Sequence, residues 1–400
     1  MTIDRRYNAD PVRRKIQIRP TDDLRNTDRM LFQLVNRAMV TCLAKPQSNV
    51  MVSLFTPCEM LHLQGLHPYS CEGFSSYLSG AMAEQPFLHQ AEDTGIPNSL
   101  CSYHKVFIGA AQMGLMPKPR FILSTSLACD ANTLTFRHLA QFYDVPHFNV
   151  DIPFESSPQA VDYVAGQLRQ MGEFLTQQTG LPLDDGQLAR TVARSQRTMA
   201  LYHRGLRLRA GRQVLSDLTS ELLRTAAFHF LLGTPETEAY ARQLLREITT
   251  APPAQGKQLL WIHTTPYWVA PLRHLFAQST RVQVAACDMS YEGIVEADPT
   301  KPYEAMARRL VYSPFNGPAQ RRIDRALEMA KTVGADGAVW FCHWGCKHTL
   351  GGARLGKKAL EEAGLPTLLL DGDSCDRGFG GEGQAATRME AFLEVLEGMA

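Results

Sequence analysis

Residues 50–55, Val-Met-Val-Ser-Leu-Phe, form an almost unbroken apolar run closed by Pro57. A run this short without polar alternation suits a strand covered on both faces, as in parallel sheets. The same signature returns in FILSTS (121–126), QLLWIHT (258–264), RVQVAAC (281–287), GAVWFC (337–342) and LPTLLLD (365–371), with a shorter strand at HFNV (147–150). Helical periodicity covers 28–44 and the segment from Asp130 to Phe142. From 157 to about 249 long amphipathic stretches such as VDYVAGQLRQMGEFLTQQ and LTSELLRTAAFHFLL carry no strand signal. The pattern predicts an α/β protein with two doubly wound parallel-sheet units of Rossmann or flavodoxin-like type, separated by a helical middle segment. The expected divisions are an N-terminal arm and helix (1–45), a first α/β unit (46–156), a helical segment (157–256) and a second α/β unit (257–400).

A chain of 400 residues with 44% hydrophobic residues buries a large core without disulfide staples. The 41 basic and 40 acidic side chains leave a net charge of +1, so the global field that gathers nucleic acid is missing. No run of about 18 apolar residues is present to span a bilayer, and the N-terminus is too polar for a signal-peptide core. A cytoplasmic location is the expectation. Nine cysteines, an odd number, then point to thiols or metal ligands rather than a disulfide framework.

In open parallel sheets, ligands collect beyond the carboxyl ends of the strands, and the cysteines concentrate there. Cys129 follows FILSTS, Cys342 ends GAVWFC with Cys346 one turn beyond, and Cys375 follows LPTLLLD, while Cys58 and Cys287 also lie at strand ends. A structural zinc site shows close Cys pairs, which only Cys342 and Cys346 offer. Single ligands from distant loops suit an iron-sulfur cluster held between two units. His104, His343 and His348 are candidate supporting donors, or ordinary loop histidines.

Other motifs carry less. GGARLGKK (351–358) has phosphate-loop spacing, but Lys358 stands where the magnesium-binding Ser or Thr belongs. GFGGEG (378–383) has dinucleotide-loop glycines but no following strand with an acid. The arginines from Arg190 to Arg212 form a basic stretch that suits a phosphate or an acidic partner, or else a face paired with acids elsewhere. No nucleophile elbow supports a hydrolase.

The segments NSLCSYHK around Cys101, FILSTSLACDA around Cys129, and the block from GADGAVWFCHWGCKHTLGG to LDGDSCDRGFGGEGQAATRMEAFLEVLE resemble the 2-hydroxyacyl-CoA dehydratase D-component family. That family includes benzoyl-CoA reductase subunits and double-cubane cluster proteins. The resemblance implies that Cys101, Cys129 (with Asp130) and Cys346 hold a 4Fe-4S cluster with one iron left open. It also implies that Asp371, Asp373 and Asp376, with Thr387 and Arg388, shape the inter-unit crevice. Cys71, Cys342 and Cys375 lie near the same motifs and raise the alternative of an 8Fe-9S double cubane on six thiolates. Cys42, Cys58 and Cys287 fall outside the matching loops and read as small buried hydrophobes.

The activity so implied is an oxygen-sensitive radical dehydration, or a reduction, of a CoA thioester. Its low-potential electron would come from an ATP-hydrolysing iron-sulfur activator, and the chain would pair with a copy of itself or a paralogous subunit. The alternatives are a double-cubane reductase of a small molecule and a non-catalytic iron-sulfur subunit. Glu72, read as part of a GLHPYSCEG loop, and His343 are the candidate acid-base residues by position.

Overall fold

The computed structural model describes residues 26–214, 216–277, 279–290, 297–379 and 381–399. Most of the expected N-terminal arm lies outside them.

Helix α1 (Asn26–Ala44) leads into strand β1 (Asn49–Val52), helix α2 (Glu59–Leu63), strand β2 (His67–Ser70) and helices α3 (Cys71–Gly80), α4 (Gln85–Asp93) and α5 (Ser102–Gln112). Strand β3 (Phe121–Thr125), helix α6 (Asp130–Tyr143) and strand β4 (His147–Val150) complete the first unit. The strands pair in parallel in the order β2-β1-β3-β4. Strand β2, His-Pro-Tyr-Ser, was not legible as a strand because Pro68 interrupts four residues with little apolar character. It sits at the sheet edge, where a residue without an N–H is tolerated. The stretch expected as a loop around Cys71 and Glu72 is the end of β2 and the first turn of α3, with the Ser70 side chain accepting from Gly73 N–H.

The middle segment is helical as the periodicity implies: α7 (Pro158–Thr179), α8 (Asp185–Leu208), α9 (Leu218–Phe230) and α10 (Pro235–Thr250). Helices α7, α8, α9 and α10 each start with a side-chain cap, from Ser157, Asp184, Asp217 and Thr234, which satisfies free N–H groups. The second unit runs through strand β5 (Lys257–Ile262), helix α11 (Ala270–Phe276), strand β6 (Val282–Cys287), helices α12 (Pro302–Val311) and α13 (Ala319–Val333), strand β7 (Gly337–His343), helix α14 (Lys347–Glu362), strand β8 (Thr367–Gly372) and helix α15 (Glu382–Gly398). Its parallel order is β6-β5-β7-β8. Both units therefore share one topology, with the first strand between the second and third. Among the described residues no helix is long and apolar enough to cross a membrane.

Two sequence motifs are absorbed by packing. GGARLGKK lies inside α14, not in a loop, and a Cβ on Gly356 would fall 1.9 Å from the Trp340 ring. That glycine lets the helix rest on the sheet. The arginine stretch is largely paired: Arg194 and Arg197 approach Glu238 at 3.6 and 3.4 Å, buried Arg209 donates to Ala285 O at 2.7 Å, and Arg212 donates to the Thr249 and Ala251 carbonyls.

The largest core joins both units to the middle helices, with Val52, Leu123, Leu168, Leu188, Trp261 and Phe341 in one cluster. A buried ion pair crosses it. Arg309 of α12 donates to both oxygens of Glu59 on α2, at 2.6 and 3.0 Å, and Ser195 of α8 donates to the same carboxylate at 2.9 Å. These bonds hold the Glu59 carboxyl below its ordinary range against the opposing effect of burial. Replacing Arg309 with Met leaves a buried, uncompensated carboxylate and should lower the unfolding free energy at neutral pH by about 3–5 kcal/mol. Because the folded pKa is lowered, wild type's advantage exists above the ordinary carboxylate range and vanishes as pH falls through the folded value. Denaturant titrations of both proteins from pH 7 to pH 3 check both statements.

Candidate functional site

In each sheet the connections leave the first and third strands in opposite directions, which opens a crevice at their carboxyl ends. The two crevices contribute to one cavity of about 650 Å³. Leu54, Phe55, Glu72, Cys101 and Cys129 come from the first unit, and His263, His343, Cys346 and His348 from the second. Helix α9 and α1 close it with apolar side chains, among them Leu222, Leu223, Phe32, Val35 and Met39.

Three cysteines enter this wall in the same way. Cys101 is the N-cap of α5, Cys129 the N-cap of α6 and Cys346 the N-cap of α14. A helix N-terminus presents free N–H groups and a partial positive charge, both of which favour a thiolate. The N–H groups of Tyr103, of Ala131 and Asn132, and of His348 and Thr349 act on the respective sulfurs in that sense. Burial acts against them and wins: Cys101 is raised well above the ordinary thiol range, Cys129 is pushed up to about 12, and Cys346 is raised. The sulfurs are also close enough to disfavour one another's ionisation. Such thiols stay protonated until a cationic group displaces the protons.

The approach of Cys346 to Cys101 depends on Gly345. Its φ is +79°, and a Cβ there would lie 2.7 Å from both the N and Cα of Cys101. Beside it, buried His343 accepts from Ser374 N–H at Nδ1 (3.2 Å), which leaves the proton on Nε2 to donate to Cys101 Sγ at 3.2 Å. Burial lowers the His343 pKa, so the Asp373 carboxylate 3.6 Å from Nδ1 faces a neutral ring. Asp373 instead accepts from Ser102 Oγ–H (2.6 Å) and from the N–H groups of Cys375 and Asp376 (both 2.7 Å), tying the β8 loop to α5. Asp376 accepts from Gln85 (2.7 Å), and Arg377 pairs with Glu84 at 2.9 Å, which joins the two units further.

Glu72, in the first turn of α3, accepts from Leu54 N–H at Oε1 (3.2 Å), while Oε2 is buried without a partner among the described residues. Burial raises its pKa to about 7, and its charge reaches Cys129. His104 contacts Thr135 Oγ1 at 3.0 Å, and His348 donates from Nε2 to Phe315 O at 3.0 Å. Burial drops both to about 4.

The second cysteine trio does not join this wall. Cys342 and His343 are adjacent on β7 and point to opposite faces of the sheet. His343 faces the cavity, and Cys342 packs into the core with α13 and α14, near Asp371 and Arg388. Cys71 is wholly buried beside Tyr69. Cys375 is wholly buried behind Cys101, its thiol directed at Ser75 O. Cys58 and Cys287 are buried as expected, and Cys42, equally buried, has its thiol on Pro68 O and also borders the cavity. Arg388 pairs with Asp371 on the surface at 3.0 Å and Thr387 bonds to Gly383 O, so neither they nor Asp371 shape the crevice. Among the described residues no three Cys, His, Asp or Glu side chains converge tightly enough to chelate one ion. Thiolates of an iron-sulfur cluster bind separate irons and stand farther apart.

Residues 53–396 match the family model for the 2-hydroxyglutaryl-CoA dehydratase D-component. The chain belongs to that family. It is also 22% identical over 337 residues to the (R)-phenyllactyl-CoA dehydratase alpha subunit of Clostridium sporogenes, covering 78% of this chain and 80% of the relative. The family match begins just after β1 and takes in the other seven strands and every cavity segment from Leu54 onward. The residues that periodicity and motif spacing missed in this dehydratase-family chain are His263, Arg322 and Asp288, brought together by tertiary structure alone. A histidine directly after the QLLWI strand was the one available signal.

Gly345→Ala should destabilise the protein by about 2 kcal/mol or more, since it combines a positive φ with a backbone collision. Gly351→Ala, at an open helix position, should instead be neutral or stabilising by about 0.5–1 kcal/mol. Denaturant midpoints of the two variants decide it.

Proposed function

We propose that this chain is the cluster-bearing subunit of a dehydratase that removes water from a 2-hydroxyacyl-CoA thioester with an apolar, aryl-sized acyl end. The observation that carries the reading is the set of three N-capping cysteines on one cavity, shared with a buried carboxylate, Glu72, that has an oxygen unpartnered among the described residues. Cys101, Cys129 and Cys346 would hold a 4Fe-4S cluster. The donor set fits it: three thiols, each at a helix N-terminus, with His343 Nε2–H hydrogen-bonded to one sulfur. Cys71, Cys342 and Cys375 point elsewhere, which favours one cubane over two.

When bound, the cluster supplies a low-potential electron and a Lewis-acidic iron for a ligand oxygen. The chain's own residues do the rest. The apolar wall of α1 and α9 receives the acyl end and excludes water, in keeping with the phenyllactyl substrate of the relative named above. Glu72, half ionised near neutrality, carries the proton that leaves carbon 3 and departs with the hydroxyl as water. The electron is returned after elimination, so the step is redox-neutral overall. An ATP-hydrolysing activator supplies the electron, and a paralogous subunit, as the relative's designation as an alpha subunit suggests, completes the enzyme.

Anaerobically prepared protein should contain about four irons per chain. Cys101→Ala, Cys129→Ala and Cys346→Ala should each lose them, whereas Cys71→Ala, Cys342→Ala and Cys375→Ala should keep them. Retention of iron by all of the first trio would remove this assignment. Glu72→Gln should keep full iron and bind thioester, but turn over about 100-fold more slowly. Turnover near wild type would assign the proton to another group.

A further inference from the structure

The loop that follows β5 carries a histidine held in an unusual way. His263 has φ +83°, a region that side chains other than glycine seldom occupy. The conformation is pinned by Asp288: one carboxylate oxygen accepts from His263 N–H at 2.7 Å, and the other accepts from the Arg322 guanidinium at 2.8 Å. The buried ion pair thus holds the loop, and with it the imidazole, in one position.

The imidazole tautomer follows from its neighbour. Arg322 has only donors to offer, and it approaches His263 Nδ1 at 3.4 Å and His348 Nδ1 at 3.3 Å. Both rings therefore accept at Nδ1 and carry the proton on Nε2. In His348 that proton is used, donated to Phe315 O at 3.0 Å. In His263 it is not: the residue lines the cavity, and its Nε2 is buried with no partner among the described residues. Burial, then the charge of Arg322, hold this ring well below the ordinary histidine range. The ring thus stays neutral, and its N–H serves as a polarised hydrogen-bond donor rather than a source of protons.

We propose that His263 donates Nε2–H to the thioester carbonyl oxygen of the acyl ligand. The inference rests on the thioester reading above and adds the residue that receives the ligand's oxygen. With Nδ1 occupied, the ring can donate but not accept, which suits an oxygen that has no proton of its own. A fixed donor in a cavity shielded from water is most effective where negative charge grows during reaction, and the carbonyl is such a place.

The test uses anaerobic holoprotein without activator or ATP, so that nothing turns over. The probe is 3-phenylacryloyl-CoA labelled with ¹³C at the thioester carbonyl, followed by isotope-edited infrared spectroscopy with binding titrated in parallel. In wild type the bound carbonyl band lies at lower wavenumber than in His263→Phe. That variant also binds about tenfold more weakly, the loss of one neutral hydrogen bond. His263→Gln, whose amide retains an N–H, restores part of the shift. His263→Asn, tolerant of positive φ but too short to reach, behaves as His263→Phe does and takes its place if that variant fails to fold. Identical band positions in saturated wild type and in the donor-free variant overturn the proposal while leaving the thioester reading intact. Failure of the probe to bind wild type overturns both.

Discussion

Four of the described helices have a cysteine at the N-cap, and three of them, those capped by Cys101, Cys129 and Cys346, begin at the wall of one cavity. The free N–H groups at those starts draw negative charge toward the sulfurs, while burial and mutual repulsion keep the thiols protonated. The site is therefore poised: it disfavours three bare thiolates and rewards a positively charged group that takes all three sulfurs together. The glycine turn before Cys346, the His343 bond to Cys101 and the Asp373 tether between α5 and the β8 loop all serve that convergence.

The convergence needs two sheets of the same topology. Each unit supplies one crevice between its first and third strands, and the crevice alone is an ordinary binding site of an open parallel sheet. Here the crevices share a cavity, so cysteines drawn singly from distant loops line one wall. Polar contacts through Ser102, Asp373, Gln85 and Asp376 join the two units, while apolar side chains of α1 and α9 line the cavity. On the proposed reading that apolar wall is the place for the acyl chain.

Much of this was legible in the sequence. Six of the eight strands announced themselves as short, mainly apolar runs, since strands covered on both faces need no alternation, and β4 as the shorter segment HFNV. Strand β2 did not, because an edge position relaxes the demand and admits Pro68. Cysteines at strand ends marked the right edge of the sheets, and the family resemblance selected Cys101, Cys129 and Cys346. That these three cap helices was not visible, because cysteine is not among the usual capping residues. Strand alternation in GAVWFCH already separates Cys342 from His343, and so argues against counting Cys342 with the site. The Asp288–Arg322–His263 arrangement was out of reach, as its members come from three separate elements and only packing brings them together.

The central claim is that one iron cluster sits on Cys101, Cys129 and Cys346. Anomalous scattering at the iron edge, recorded from anaerobically grown crystals of the holoprotein, tests it most directly. The account predicts a single compact iron peak in the cavity, within bonding distance of those three sulfurs and of no other. Iron bound to Cys71, Cys342 or Cys375, or a cavity whose three thiols bear no iron in a protein that holds it elsewhere, would contradict the account.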